Sequence, residues 1–170
     1  MIYIIGLIAV ILGVVLDQYT KHLAITHLQE NPVSIIEGVF ELRYLENRGA
    51  AFGLFQNQQT LFLIITIITL CCMAYLYVRM PKTKHFLWLR VSLISITAGA
   101  IGNMIDRVRL QYVVDFLYFE LIDFPIFNVA DIFATVATFG LIVLLLFYYK
   151  EEDVDMLFSL MTPKRKETHE

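Results

Sequence analysis

Four stretches without a charged side chain decide what this chain can become. They are residues 2–16, 61–78, 91–105 and 132–149, runs of 15, 18, 15 and 18 residues. Crossing the hydrocarbon core of a bilayer takes about 20 mostly apolar residues in a helix, with a range of roughly 17–25. The second and fourth runs nearly meet that length unaided. The first meets it because a helical pattern continues through Leu28, with its polar end, from Asp17 onward, in the headgroup layer. The third meets it if the helix starts near Phe86 and Arg90 snorkels to the interface. The expectation is an all-α membrane protein with four transmembrane helices, at about residues 2–28, 59–78, 86–106 and 129–149.

Composition excludes the main alternatives. Apolar residues make up 58% of the 170 and charged residues only 17%. A soluble domain of this size keeps too much of its surface wet to hide that much apolar area. Disordered chains have few aromatics, whereas here they reach 14%. The net charge of −3 argues against a nucleic-acid partner. The first apolar run lacks a basic segment before it and an A-x-A site after it, so it reads as a retained helix and not as a cleaved export signal.

Charge placement gives an orientation. Four spans put both termini on one side. That side holds Arg79, Lys82, Lys84, Arg90, Lys150, Lys164, Arg165 and Lys166, against Lys21, Arg43, Arg48, Arg107 and Arg109 on the other. The positive-inside rule then makes the termini cytoplasmic. Ten of the 16 carboxylates fall in the two outer segments, between Asp17 and Gln59 and between Asp106 and Asp131, which places the chemistry near the outer face. Residues 1–149 read as one membrane-embedded domain and 150–170 as a cytoplasmic tail.

The first outer segment, about residues 30–57, has β character. Asn31-Pro32 and Glu37-Gly38 are turn signals, and Phe40, Leu42 and Tyr44 alternate with Glu41, Arg43 and Leu45. Gly49-Ala50-Ala51 offers small side chains where another chain can approach. The second, about 107–128, is apolar and aromatic around Asp115, Glu120 and Asp123, and its periodicity fits a strand pair or an interfacial segment equally.

The candidate chemistry lies in carboxylates and amides. The adjacent Cys71 and Cys72 point in different directions on a helix, and four scattered histidines show no zinc spacing, so no metal or cofactor is expected. Asp17 and Lys21, four apart, suit an ion pair. Gly99, Asn103 and Asp106 share one helix face, as do Asn128 and Asp131. Asp131 at a helix start has the dipole in its favour, and Arg107 is placed to compensate Asp106. Asp115 stands alone among Val113, Val114 and Phe116, which capping does not explain. Ionisable groups at membrane depth face a partner or a wet cavity because isolation there is costly. A small transporter or proton-conducting subunit uses such acids too, but nearer the midplane and with paired repeats. A non-catalytic scaffold would tolerate Asn at the acidic positions.

The chain resembles the bacterial lipoprotein signal peptidases (signal peptidase II). The resemblance rests on Asp17-Gln18-Tyr19-Thr20-Lys21, Asn47-Arg48-Gly49-Ala50-Ala51-Phe52-Gly53, Gly102-Asn103-Met104-Ile105-Asp106-Arg107, Val113-Val114-Asp115-Phe116 and Phe127-Asn128-Val129-Ala130-Asp131, in the family's order. It implies four helices with a small extracytoplasmic β-sheet, and a membrane aspartic endopeptidase with Asp115 and Asp131 as the catalytic pair. Asn47, Gly49, Asn103, Arg107 and Asn128 fall in substrate-binding or supporting places, and Asp17, Lys21 and Asp106 in structural polar ones. The implied substrate is a prolipoprotein, met together with membrane lipid and cut on the N-terminal side of its diacylglyceryl-modified cysteine. The resemblance also implies inhibition by globomycin, and the enzyme is read as a monomer. The tail, residues 150–170, has no counterpart in the pattern.

Overall fold

The computed structural model describes residues 1–49 and 58–161. Part of the small-residue stretch, Ala50 and Ala51, and the basic end of the tail, Lys164 to Lys166, lie outside them. The elements run α1 (Ile2–His27), β1 (Val33–Ile36), β2 (Phe40–Asn47), α2 (Gln59–Arg79), α3 (Leu87–Leu110), β3 (Val113–Tyr118), α4 (Val129–Phe147) and α5 (Glu151–Met161). Four of these helices are long and apolar enough to cross a membrane. They are apolar around most of their circumference, and Ile4, Leu12, Ile64, Ile68, Val136 and Phe139 are all exposed. Such a surface is soluble only in lipid.

Chain punctuation fits the elements. Pro81 follows α2, whose last N–H bond is from Met80 to Leu76. Gln111, at φ 65°, stops α3 in the left-handed region. A capping box opens α4: the Asn128 side chain accepts from the Asp131 N–H, and the Asp131 carboxylate accepts from the Asn128 N–H. Helix α3 runs one turn past the expected end at Asp106, to Leu110, and this carries Arg107 on the helix instead of in a loop.

Helix α3 is the central one, and α1, α2 and α4 all pack on it. Small residues set the spacing. A Cβ on Gly99 would run into the Ala130 carbonyl oxygen on α4, and one on Gly102 would stand 2.5 Å from an Asp17 carboxylate oxygen on α1. The Gly99 obstacle is backbone, so relief requires the helices to part. We expect Gly99→Ala to lower stability by about 1–3 kcal/mol, as overpacking does, read as a drop in melting temperature in detergent.

The sheet caps one end of the bundle. Its order is β1-β2-β3, antiparallel throughout. The alternating stretch at Phe40–Asn47 is its middle strand. The second outer segment contributes one strand and a 3-10 turn, Glu120–Ile122, in place of a strand pair. Between Leu42↔Leu117 and Leu45↔Asp115 the middle strand carries one extra residue, a bulge that re-aims the side chains beyond it. Ala24 and Leu28 of α1 pack against Val114 and Phe116 of β3 and fasten the sheet to the bundle.

The opposite end departs from expectation twice. Arg90 does not snorkel. It is 1% exposed, and its guanidinium donates to the carbonyls of Tyr77, Met80 and Pro81 at 3.1, 2.7 and 3.1 Å. The end of α2 leaves orphan carbonyls, and Arg90 supplies donors for them. The tail begins as a helix. Val154, Met156 and Leu157 pack beside Met80, Phe86, Leu89 and Tyr149, and Asp153 meets His85 at 3.0 Å.

Candidate active site

Where α1, α3 and α4 meet the sheet, polar side chains replace apolar packing. Asp115 stands on β3, 1% exposed, at the register position facing Leu45. Asp131 stands at the first turn of α4. Backbone bonds tie the two elements together: Phe116 and Leu117 donate to the Phe127 carbonyl, and Phe127 donates back to Leu117. Residue 127 immediately precedes the cap of α4, so this ladder fixes β3 against the start of the helix.

Two amides join the carboxylates. The Asn128 Nδ2 donates to Asp115 Oδ1 at 2.6 Å and to Asn103 Oδ1 at 3.1 Å, while its Oδ1 accepts from the Asp131 N–H at 2.9 Å. Asn103 Nδ2 donates to Asp131 Oδ1 at 2.8 Å. Asn128 thus uses both of its N–H groups and its oxygen inside the protein. It holds both acids, and both of its side-chain N–H groups are engaged. Asn47, at the end of β2, donates to Asp115 Oδ2 at 2.8 Å. The Gly49 N–H holds the oxygen of that amide at 3.0 Å, which keeps its nitrogen toward Asp115.

Behind the amides lies a buried ionic cluster. Lys21 Nζ reaches Asp17 Oδ2 and Asp106 Oδ2, each at 2.9 Å, and Asn103 Oδ1 at 2.8 Å. The partner of Asp106 is therefore Lys21 on another helix, and not the neighbouring Arg107. Consecutive helix residues point about 100° apart, so Arg107 acts on Asp106 through space and not through an ion pair. Gln18 donates to Asp106 Oδ1 at 2.9 Å and to the Gly102 carbonyl at 3.2 Å. Its bridging role between α1 and α3 had no local signal. The Asp17 Oδ1 accepts from the Ala130 N–H at 2.9 Å and the Asp106 Oδ2 from the Val114 N–H at 3.1 Å.

Arg107 lies near the same acids and interacts electrostatically with Asp131, Asp115 and Asp106 without pairing with any of them. Its guanidinium stands over the Phe62 ring, 4.8 Å from the centroid. Cys71 and Cys72 are exposed on α2, away from these groups.

Burial raises the Asp115 pKa to about 7, and the charge of Asp131 pushes the same way. The bonds from Asn47 and Asn128 and the charge of Lys21 oppose the rise without cancelling it. The site thus presents two carboxyls on rigid elements, one of which takes up a proton near neutrality, with the Arg107 guanidinium beside them. Such a pair can activate water and donate a proton in one place.

Known proteins carry the same plan. The family model for signal peptidase (SPase) II matches residues 9–147. The chain is 45% identical over 147 residues to a lipoprotein signal peptidase of Streptococcus thermophilus, covering 86% of this chain and 93% of that one. It is 42% identical over 151 residues to a lipoprotein signal peptidase of Clostridium tetani, with the same coverage. A bacterial membrane enzyme solved by the in meso method at 2.3 Å resolution superposes with a TM-score of 0.76 at 34% identity, over 86% of this chain and 92% of its own.

Proposed function

The chain belongs to the signal peptidase II family, a family of membrane proteases that process lipoproteins, and on that premise we propose that it is an aspartic endopeptidase whose reacting pair is Asp115 and Asp131. The observation that carries the reading is the sharing of Asn128: one residue donates to Asp115 and caps Asp131, although the two acids arrive on a strand and a helix. A purely structural network has no need to hold two carboxyls on one amide.

In the proposed reaction Asp115 holds the proton and Asp131 is the base. Asp131 takes a proton from a water whose oxygen attacks the scissile carbonyl carbon, while Asp115 donates to the carbonyl oxygen. The C–N bond then breaks: the leaving amine takes the proton that Asp131 gained, and one hydroxyl of the gem-diol returns its proton to Asp115 as the C=O re-forms, which leaves a carboxylic acid and the starting pair. Arg107, with no ion pair among the described residues, is the group available to hold a substrate carbonyl. The substrate is a prolipoprotein cut before its diacylglyceryl-modified cysteine. The acyl chains stay in the bilayer, which recruits the substrate through burial at about 0.8 kcal/mol per CH₂. The sheet end faces outward, and both termini are cytoplasmic.

The test is side-by-side incubation with a diacylglyceryl-modified precursor and its unmodified form, with and without globomycin. Cleavage of the modified precursor alone, blocked by globomycin, is expected. Equal cleavage of both forms would remove the lipid requirement.

The pH dependence follows from the raised pKa of Asp115. Asp115 must be protonated to donate, so kcat should fall as pH rises through about 7. At low pH the rate should fall again as the base is protonated. A kcat–pH profile in detergent with a labelled precursor measures this, and a rate still climbing at pH 9 would mean that no protonated carboxyl takes part and would overturn the two-acid reading.

A further inference from the structure

Lys21 is 2% exposed and spends all three of its N–H donors inside the protein, on Asp17, Asp106 and Asn103. Each of those acceptors leads to one of the two acids. Asp17 accepts from the N–H of Ala130, the residue before Asp131. Asp106 accepts from the N–H of Val114, the residue before Asp115. Asn103 donates directly to Asp131.

The Asn103 amide shows what the ammonium decides. Its oxygen accepts from Lys21 at 2.8 Å and Asn128 at 3.1 Å, and its nitrogen donates to Asp131 at 2.8 Å. Turned over, it would set an NH₂ against an ammonium and an amide NH₂, and a carbonyl oxygen against a carboxylate. A charged donor is the strongest of these contacts, so Lys21 holds the amide in the working sense.

We propose that Lys21 is a positioning residue for the Asp115–Asp131 pair: its ammonium locks the Asn103 amide with the N–H toward Asp131 and, through Asp17 and Asp106, sets the backbone immediately before each acid. This rests on the reading of Asp115 and Asp131 as the reacting pair. The charged groups that act on Asp115 are Asp131 on α4, Lys21 on α1 and Arg107 on α3, and Asp17 and Asp106 pair with Lys21 behind them. Strand β2 adds the neutral Asn47 and, beside it, Glu46 paired with Arg48 at 2.7 Å.

Lys21→Met alone would strand two buried carboxylates, so the test uses Asp17→Asn/Lys21→Met, which removes one charge of each sign. The amide oxygen introduced by Asp17→Asn still accepts from Ala130, and the amide NH₂ can donate to Asp106. Asp17→Asn/Lys21→Gln, which keeps a shorter neutral donor in place of the ammonium, is the second variant, and Asp17→Asn is the control. The readouts are kcat, KM and the kcat–pH profile on folded protein in detergent. Loss of the lock should lower kcat roughly 100-fold, as loss of one preorganised donor does, with KM nearly unchanged. The alkaline limb should move upward, because the Lys21 charge lowers the Asp115 pKa and that influence is gone.

Wild-type kcat with an unshifted limb in either variant would overturn the proposal. So would failure of both variants to fold, which would make Lys21 a structural ammonium only. If Asp115→Asn and Asp131→Asn keep activity, the reacting pair itself is wrong, an outcome distinct from either result at Lys21.

Discussion

Asp115→Asn should abolish cleavage of a lipid-modified precursor and leave the protein folded. An amide can neither carry the exchangeable proton nor share it with Asp131. The loss should be roughly 10⁴-fold or more, the scale seen when an acid–base group that acts as a unit is removed. Stability should move little. Asn is isosteric, its oxygen keeps one of the two donors that Asp115 accepts from, Asn47 or Asn128, and only the other loses its acceptor. Against that small loss stands a gain. The Asp115 pKa is raised on folding, from the ordinary carboxylate value to about 7. Its contribution to stability is therefore full below about pH 4, the unfolded value, and lost as pH rises through 7. Above 7 the folded state must bury a charge that the variant lacks. The measurement is turnover together with melting temperature at pH 6 and pH 8. The variant should be inactive at both, and at pH 8 it should melt at or above the parent. Near-normal turnover would remove Asp115 from the reaction. An unfolded variant would instead make Asp115 part of the scaffold.

The membrane helices and the middle strand were legible because each is written locally. A charge-free run of sufficient length leaves few folds open, and alternation over Phe40 to Leu45 specifies a pleat. Spacing also showed that Gly99, Asn103 and Asp106 share a face of α3. In the structure Gly99 meets α4, Asn103 meets Asp131, and Asp106 meets Lys21. Spacing could not show which helix each would meet. Lys21 to Asn103 spans 82 positions and Asp17 to Ala130 spans 113. Partners so distant are chosen by how closely α1 and α4 approach α3. Arg90 shows the same limit from the other side. From sequence it is a cation near a membrane boundary, and only the nearby end of α2 makes burial better than snorkelling. The start of the tail as a helix was likewise hidden, because its apolar residues gain meaning only from the cluster around Phe86 and Tyr149.

The polar end of the bundle is layered. Asn47, Asn103 and Asn128 touch the two acids, and Lys21, Asp17, Asp106 and Gln18 touch the amides or the backbone behind them. Neutral amides next to the acids supply donors without adding fixed charge. The ionic cluster is nearly fully buried, so its members depend on one another for compensation. Disturbing the first layer should therefore alter chemistry, as should removing Lys21, which reaches into it through Asn103, whereas disturbing the rest of the second should alter folding first.

Asp17→Asn tests that division. Asp17 is fully buried, accepts from the Ala130 N–H, and pairs with Lys21 at 2.9 Å. The Asn oxygen can keep the Ala130 bond, but its NH₂ must then face the Lys21 ammonium. Lys21 retains Asp106 as a partner, so one charge of each sign remains, and what is lost is one charged contact and the fit of an oxygen to the ammonium. Losing a buried charge-assisted contact and setting a donor against the ammonium costs about 1–3 kcal/mol. We expect lower abundance in membranes and a melting temperature reduced by several degrees, with the specific activity of the surviving folded enzyme within about threefold of the parent, under 1 kcal/mol in barrier. Quantitative blotting, thermal unfolding in detergent and turnover per folded molecule separate the two effects. A variant as stable as the parent yet inactive would move Asp17 next to the reaction, and the layering would have to be redrawn with the carboxylate of α1 in contact with the reacting groups.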